Sequence, residues 1–330
     1  MFKLNKIILL IGVIISLKSY GQDPQFSQFY ATSLYLNPAF TGNTEVGRLS
    51  GVYRNQWASI PGAFVSYSFA YDYNLSNVNS GVGLMVTQDK AGSGGLKFTN
   101  VAGLYSYAFQ IKRKLFFRAG LKASYTFRGI NEHSLLFADQ IIRDGAQETV
   151  ESFNDNRISY FDVGTGGLIY SNKYWFGFSL DHINQPEQSL IYHVANLPIK
   201  SSIHGGYNFL LDDNSMDDEG TSITAAFNYK HQLNWNQLDI GAYYNKGSFV
   251  IGLWYRGVPF MKTFENNYNN DAIIFLAGIQ TKGIKIGYSY DVTISKLYGN
   301  TGGSHEISLI YEHSKKHKKK RRQAVPCAKF

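Results

Sequence analysis

The chain has 330 residues, of which 44% are hydrophobic and 17% charged, with 24 Tyr, 23 Phe and 32 Gly against 7 Pro. After the N-terminus no apolar run approaches the roughly 18 residues that a membrane helix needs, and the single cysteine, Cys327, excludes an internal disulfide. The formal net charge of +8 is carried by Lys315, Lys316, Lys318, Lys319, Lys320, Arg321, Arg322 and Lys329, so the rest of the chain is neutral.

Residues 1–21 read as a signal peptide: Lys3 and Lys6 form a basic start, Ile7 to Leu17 an apolar core too short to span, and Ser19-Tyr20-Gly21 a cleavage site. The mature chain then starts at Gln22, and no cysteine follows the site to accept a lipid. Residues 22–47 lack strand alternation, yet Phe26, Phe29, Tyr30, Tyr35 and Phe40, with the turn Asn37-Pro38, make them too aromatic for a solvated linker. They read as a plug or leader segment, held inside the fold that begins at residue 48.

From residue 48 the pattern changes to period two. Leu115, Phe117, Ala119, Leu121, Ala123, Tyr125 and Phe127 alternate with residues that include Arg118, Lys122 and Arg128. Side chains of a strand point alternately to opposite faces, so one surface is wholly apolar and the other carries three cations. Phe69 and Tyr71 against Ser68 and Asp72, Phe227 and Tyr229 against Asn228 and Lys230, Leu253 and Tyr255 against Gly252 and Arg256, and Ile284 and Ile286 against Lys285 repeat the contrast. Lipid outside and water inside explain it, because only a closed barrel satisfies every backbone polar group without helices.

Strands are expected near 48–57, 62–73, 80–88, 96–110, 114–128, 158–171, 173–183, 200–211, 221–231, 237–245, 248–257, 271–281, 283–291 and 305–313. That is an all-β transmembrane antiparallel barrel of about 14 strands spanning 48–314, an even number as bacterial barrels require. Tight connections at Ser171-Asn172-Lys173, Asn245-Lys246-Gly247 and Thr281-Lys282-Gly283 alternate with long ones near 129–157, 184–199, 258–270 and 292–304. Short connections belong to the periplasm and long loops to the outside, although 58–61 and 232–236 break the rule. Residues 315–330 then form a basic tail in the periplasm, on the side where the leader also starts. Export and a barrel together place the protein in a Gram-negative outer membrane, where a basic run rarely meets nucleic acid.

Gln22-Asp23-Pro24-Gln25-Phe26-Ser27-Gln28-Phe29-Tyr30, Asn37-Pro38-Ala39-Phe40-Thr41-Gly42 and Arg54-Asn55-Gln56-Trp57 resemble the start of the PorP/SprF family of the type IX secretion system. Asp162 to Leu168 and Trp175 to His182 resemble later blocks of that family. Phe26, Phe29, Tyr30, Asn37, Pro38 and Phe40 are the family marks carried over. The resemblance implies a non-enzymatic barrel that assists secretion and anchors at the surface adhesins carrying a type B C-terminal domain. Some members also serve gliding motility, and some are linked to the translocon and its periplasmic components. The lysine-rich tail matches no feature of the family.

Two other classes stand beside that reading. A diffusion or uptake channel would use Arg118, Lys122, Arg128, Lys230, Arg256 and Lys285 as an anion-favouring lumen, whereas the same cations could be paired around a plug by Asp239, Asp291 or Glu306. A hydrolase would need a nucleophile or carboxylate beside a histidine, and His182 next to Asp181, with His204 on the following strand, is the sole pairing to name. No nucleophile elbow, metal-ligand cluster or phosphate loop occurs, and no cofactor is expected.

Overall fold

A computed structural model describes residues 23–92, 95–131, 135, 138–143, 157–190, 195–211, 220–262, 268–281 and 283–313. The expected signal peptide, the basic tail with Cys327 and most of the 129–157 loop lie outside the described residues.

Fourteen strands close into one antiparallel barrel in which each strand pairs with its neighbours in sequence and β1 pairs with β14. They are β1 Gly47–Gln56, β2 Phe64–Leu75, β3 Ser80–Ala91, β4 Leu96–Lys112, β5 Leu115–Gly129, β6 Arg157–Tyr170 and β7 Tyr174–Asp181. The second half comprises β8 Lys200–Leu210, β9 Ser222–Gln232, β10 Trp235–Lys246, β11 Phe249–Lys262, β12 Tyr268–Thr281, β13 Ile284–Thr293 and β14 Ser304–His313. The seam runs from Gly47 opposite His313 to Gln56 opposite Ser304. Both chain ends of the barrel therefore lie at one mouth, the near mouth; the other is the far mouth.

The apolar phase faces outward. Phe69, Leu121, Phe127, Phe249, Ile251 and Leu309 are more than half exposed, while Ser68, Asp72, Lys122, Thr126 and Glu306 on the opposite phase are buried. Apolar outside and polar inside inverts the soluble protein, and lipid is the solvent that makes it stable. Several strands depart from their expected spans, β3 running on to Ala91 and β12 starting at Tyr268, and in β11 and β7 the backbone shows why. β11 runs on, shifting register between Arg256 and Gly257 and again between Val258 and Lys262. The first shift leaves Asp271 of β12 without a partner across the ladder and the second leaves residues 259–261 of β11 so, which resets the inward and outward phase and ends the strict period-two pattern at 257 although pairing continues. β7 instead stops early, because His182 takes a positive φ of 61° and turns the chain out of the ladder.

Ahead of β1, residues 23–46 lie inside the barrel. A single helical turn, α1 (Ser33–Leu36), leads into a 3-10 turn at Pro38–Phe40, where the Asn37 side chain accepts from the Ala39 N–H. Asn37 thus satisfies a donor the short turn leaves open, and Pro38 sits at the first helical position, where its missing N–H costs nothing. The leader does not start on the side of the tail. Asp23 stands at the far mouth, beside His182 and Lys200, and the chain descends the whole lumen to Gly42, beside Asp72 and Gly81 at the near mouth. Alternation predicts which face a strand residue takes but carries no information on the direction of a segment held by side-chain hydrogen bonds.

Candidate functional site

The interior of the barrel is two apolar clusters joined by the leader. Phe26, Phe29, Tyr30 and Ala31 pack with Val52, Tyr243, Val250, Trp254, Ile274, Leu276 and Ile310 on one half of the wall. Leu34, Ala39 and Phe40 pack with Ala70, Met85, Ala102, Leu104, Leu168, Tyr170 and Trp175 on the other. Phe29 meets Trp254 edge-on at 5.2 Å between ring centroids, and Phe40 stacks on the His204 imidazole at 5.4 Å. Glycines let the backbones approach: a methyl group at Gly120 would overlap the Ala39 nitrogen, and one at Gly166 would overlap the Asn37 side chain.

Three polar fastenings hold the leader along its length. Near the far mouth, the Asp23 carboxylate accepts from Lys200 at 2.6 Å and lies 3.0 Å from His182 Nε2, whose Nδ1 is 3.1 Å from Asp162. Burial by itself would raise the Asp23 carboxyl, but the Lys200 ammonium and His182 outweigh it and hold it well below the usual carboxylate range. Burial likewise opposes the charged imidazole of His182, yet Asp23 and Asp162 lift it to about 9 against the opposing charge of Lys200.

The second fastening is ionic and lies on β1, β10, β11, β13 and β14. Ser27 and Gln28 donate their backbone N–H groups to the two Glu306 oxygens at 2.7 and 2.8 Å. The Ser27 hydroxyl donates to Asp291 at 2.7 Å and accepts from Arg54 at 2.7 Å and Arg256 at 2.8 Å. Both arginines also reach Asp291 at 2.9 Å, while Arg54 meets Glu306 at 3.1 Å and Arg256 meets Asp239 at 2.8 Å. Buried charges survive only when paired and hydrogen-bonded in this way.

The third fastening, further down the barrel, is built mainly on neutral groups of the leader. The Asn37 amide donates to the Gly167 and Phe178 carbonyls at 3.1 and 2.9 Å and lies 3.0 Å from His204 Nε2. The Thr41 carbonyl accepts from Ser106 and from Arg118 at 2.8 Å, and the Gly42 N–H donates to Asp72 at 2.8 Å.

Of the six cations expected to face the lumen, Arg118 and Arg256 contact the leader directly through Thr41 and Ser27. Lys122 bonds Asp181, Arg128 bonds Gln188 and Lys285 bonds Glu312, while Lys230 stands 5.5 Å from the Phe29 ring centroid. The family-mark residues Phe26, Phe29, Tyr30, Asn37, Pro38 and Phe40 are all buried in the lumen. Sequence reasoning did not single out Arg54, Lys200 or Asp23 as site residues. Arg54 was within reach, since it occupies the inward phase of β1 and belongs to one of the blocks that carry the resemblance. His182 faces two carboxylates and His204 an amide and an aromatic ring, and no cluster of His, Cys, Asp and Glu able to hold a metal occurs among the described residues.

A cavity of about 30 Å³ beside Phe29, Tyr30, Leu36, Trp175, His204 and Asn228 lies between leader and wall and is large enough to hold water. A closed barrel with an apolar exterior and a fastened segment in its lumen defines a membrane β-barrel. The family described as "Type IX secretion system membrane protein PorP/SprF" matches residues 18–311. The chain belongs to that family and is an outer-membrane β-barrel of a Gram-negative envelope. Among solved structures it is similar to the CymD monoaromatic hydrocarbon channel, at 14% identity and a TM-score of 0.48 over 87% of this chain and 94% of that one. The Pseudomonas putida toluene transporter TodX, at 10% and 0.47, covers 84% and 93%, and a Pseudomonas aeruginosa FadL homologue, at 11% and 0.45, covers 86% and 94%. The comparison with curated proteins found no match.

Proposed function

We propose that this barrel works by recognising protein: it assists type IX secretion and holds at the cell surface a secreted adhesin carrying a type B C-terminal domain. The observation that carries the reading, beside the family, is the leader fastened at both mouths and in between. A lumen closed by a segment with this many anchors leaves the rim and its loops to do the work. The far mouth, where the longer connections gather, is the outward-facing one, and strand addition or an apolar groove is the mode of capture.

The cations of an anion channel are here engaged by Asp181, Asp239, Asp291, Glu312, Gln188 and the leader itself, which favours packing around a plug over conduction. Purification from native membranes under mild detergent, with mass spectrometry of co-purifying proteins, tests the reading. Enrichment of a secreted protein with a C-terminal targeting domain supports it. A barrel that purifies alone and shows open, steady conductance in planar bilayers sinks it.

A further inference from the structure

Four rows of outward-facing residues cross strands β3, β4, β5 and β6 near the far mouth. The uppermost consists of Lys90, Lys97, Gly129 and Arg157, each paired across to the next. Below it, two residues along each strand, come Gln88, Thr99, Phe127 and Ser159, then Val86, Val101, Tyr125 and Phe161, then Leu84, Gly103, Ala123 and Val163.

The three cations of the top row, Lys90, Lys97 and Arg157, are all exposed, and none has a side-chain partner among the described residues. Lys90 and Lys97 stand directly opposite each other, and like charges in that position destabilise a sheet unless an anion lies between them. Among the described residues, the neighbouring carboxylates point the other way: Asp89 accepts from Ser66 and Asp162 faces His182, both on the inner face. The second row is polar in part, with the Ser159 and Tyr125 hydroxyls 2.9 Å apart. The lower rows are apolar and open, with Leu84 and Phe161 more than half exposed.

We infer that this strip is a binding site for the phosphorylated, multiply acylated glycolipid of the outer leaflet, lipopolysaccharide, with its lipid A phosphates on Lys90, Lys97 and Arg157. Cations, then hydrogen-bonding groups, then lipid-facing apolar side chains follow the order of phosphate, sugar and acyl chain in such a molecule. The site rests on the outward orientation of the far mouth proposed above.

The test uses the full-length barrel, delipidated in mild detergent and titrated with diphosphoryl lipid A, dephosphorylated lipid A and phosphatidylglycerol. A basic residue near an anionic surface contributes enough that the triple variant Lys90→Gln, Lys97→Gln, Arg157→Gln should bind diphosphoryl lipid A about 100-fold more weakly. Dephosphorylated lipid A should lose affinity with the wild-type barrel, and the double variant Lys112→Gln, Lys114→Gln at the near mouth should bind as wild type. Heat-shifted gel migration checks that each variant is folded, and Lys97→Gln alone, expected to cost about fivefold, serves if the triple variant is not. Equal lipid A affinity for wild type and variant overturns the site. Binding of phosphatidylglycerol as tightly as lipid A overturns the choice of ligand and leaves a strip that takes anionic lipid without distinguishing its headgroup. Neither result touches the orientation or the protein-capture reading, which the co-purification decides separately.

Discussion

Ser27 and Asp291 are bound to each other and to the same two guanidinium groups: Ser27 Oγ donates to Asp291 Oδ2 at 2.7 Å, and Arg54 and Arg256 each reach both. The four groups form a closed ring through which a segment far off in sequence is tied to the wall.

Opening that ring from its two sides should have different effects. Asp291→Ala leaves two buried arginines short of a counter-charge and should destabilise the barrel by about 3–5 kcal/mol. Ser27→Ala removes hydrogen bonds without stranding a charge and should cost about 1–3 kcal/mol. Denaturant titration in lipid or detergent reads both, and a Ser27 variant as damaged as the Asp291 variant would mean that the hydroxyl is not a passive spacer in the ring.

On β5 the two faces are neighbours in sequence. Leu121, 57% exposed, should not tolerate Arg, which costs about 2–4 kcal/mol at the bilayer midplane. Lys122→Gln should be milder, because Asp181 keeps Lys200 at 3.3 Å as a second partner. Yield of assembled barrel in the outer membrane measures both, and equal losses would reverse the assigned phase.

Gly120 and Gly166 are the places where the wall touches the leader backbone and its Asn37 side chain. Gly120→Val should displace the 3-10 turn at Pro38–Phe40 and raise single-channel conductance, and deletion of residues 22–42 should raise it further while the barrel still inserts. Electrical silence of the deletion variant would mean that the segment is no obstruction.

The far-mouth fastening should respond to alkali. With its folded-state pKa raised to about 9, His182 contributes stability that is complete below its unfolded value and is lost as pH rises through about 9. The groups facing it are Asp23, Asp162 and Lys200. A spin label at Gln25→Cys, in a Cys327→Ser background, should gain mobility between about pH 8 and 10. The same curve in a His182→Gln background would remove the imidazole from the explanation.

An even strand count returns the chain after β14 to the near mouth, so Cys327 should resist a membrane-impermeant thiol reagent in intact cells and react after permeabilisation. Strong labelling of intact cells would turn the barrel over and put the proposed capture loops in the periplasm.

Most of the wall was legible in the sequence because lipid imposes a period of two on every strand, as Leu115 to Phe127 shows most clearly. Legibility ended where that period breaks: at the β11 bulges beyond Arg256, where pairing outlasts alternation, and at His182, whose left-handed backbone ends β7. The aromatic residues of the leader announced burial but not direction. Asp23 pairs with residues 159 and 177 positions away, and no local pattern encodes a partner at that distance. Arg54 shows the same limit, since its partners Asp291 and Glu306 lie on strands that come last in the chain.

Ser27 and Gln28, among the first residues of the leader, take their carboxylate from Glu306, on the final strand. Contacts of such span are costly to form, since a long loop must close before they repay it. The Asp23 and Asn37 fastenings need only strands up to β8, but the one at Ser27 and Gln28 cannot close until the final strand has been delivered, and β1 has no second neighbour until the same moment. Sealing the wall and locking the ionic fastening of the leader become one event, in which a truncated chain would be left with both an open strand edge and an aromatic segment held at only part of its length.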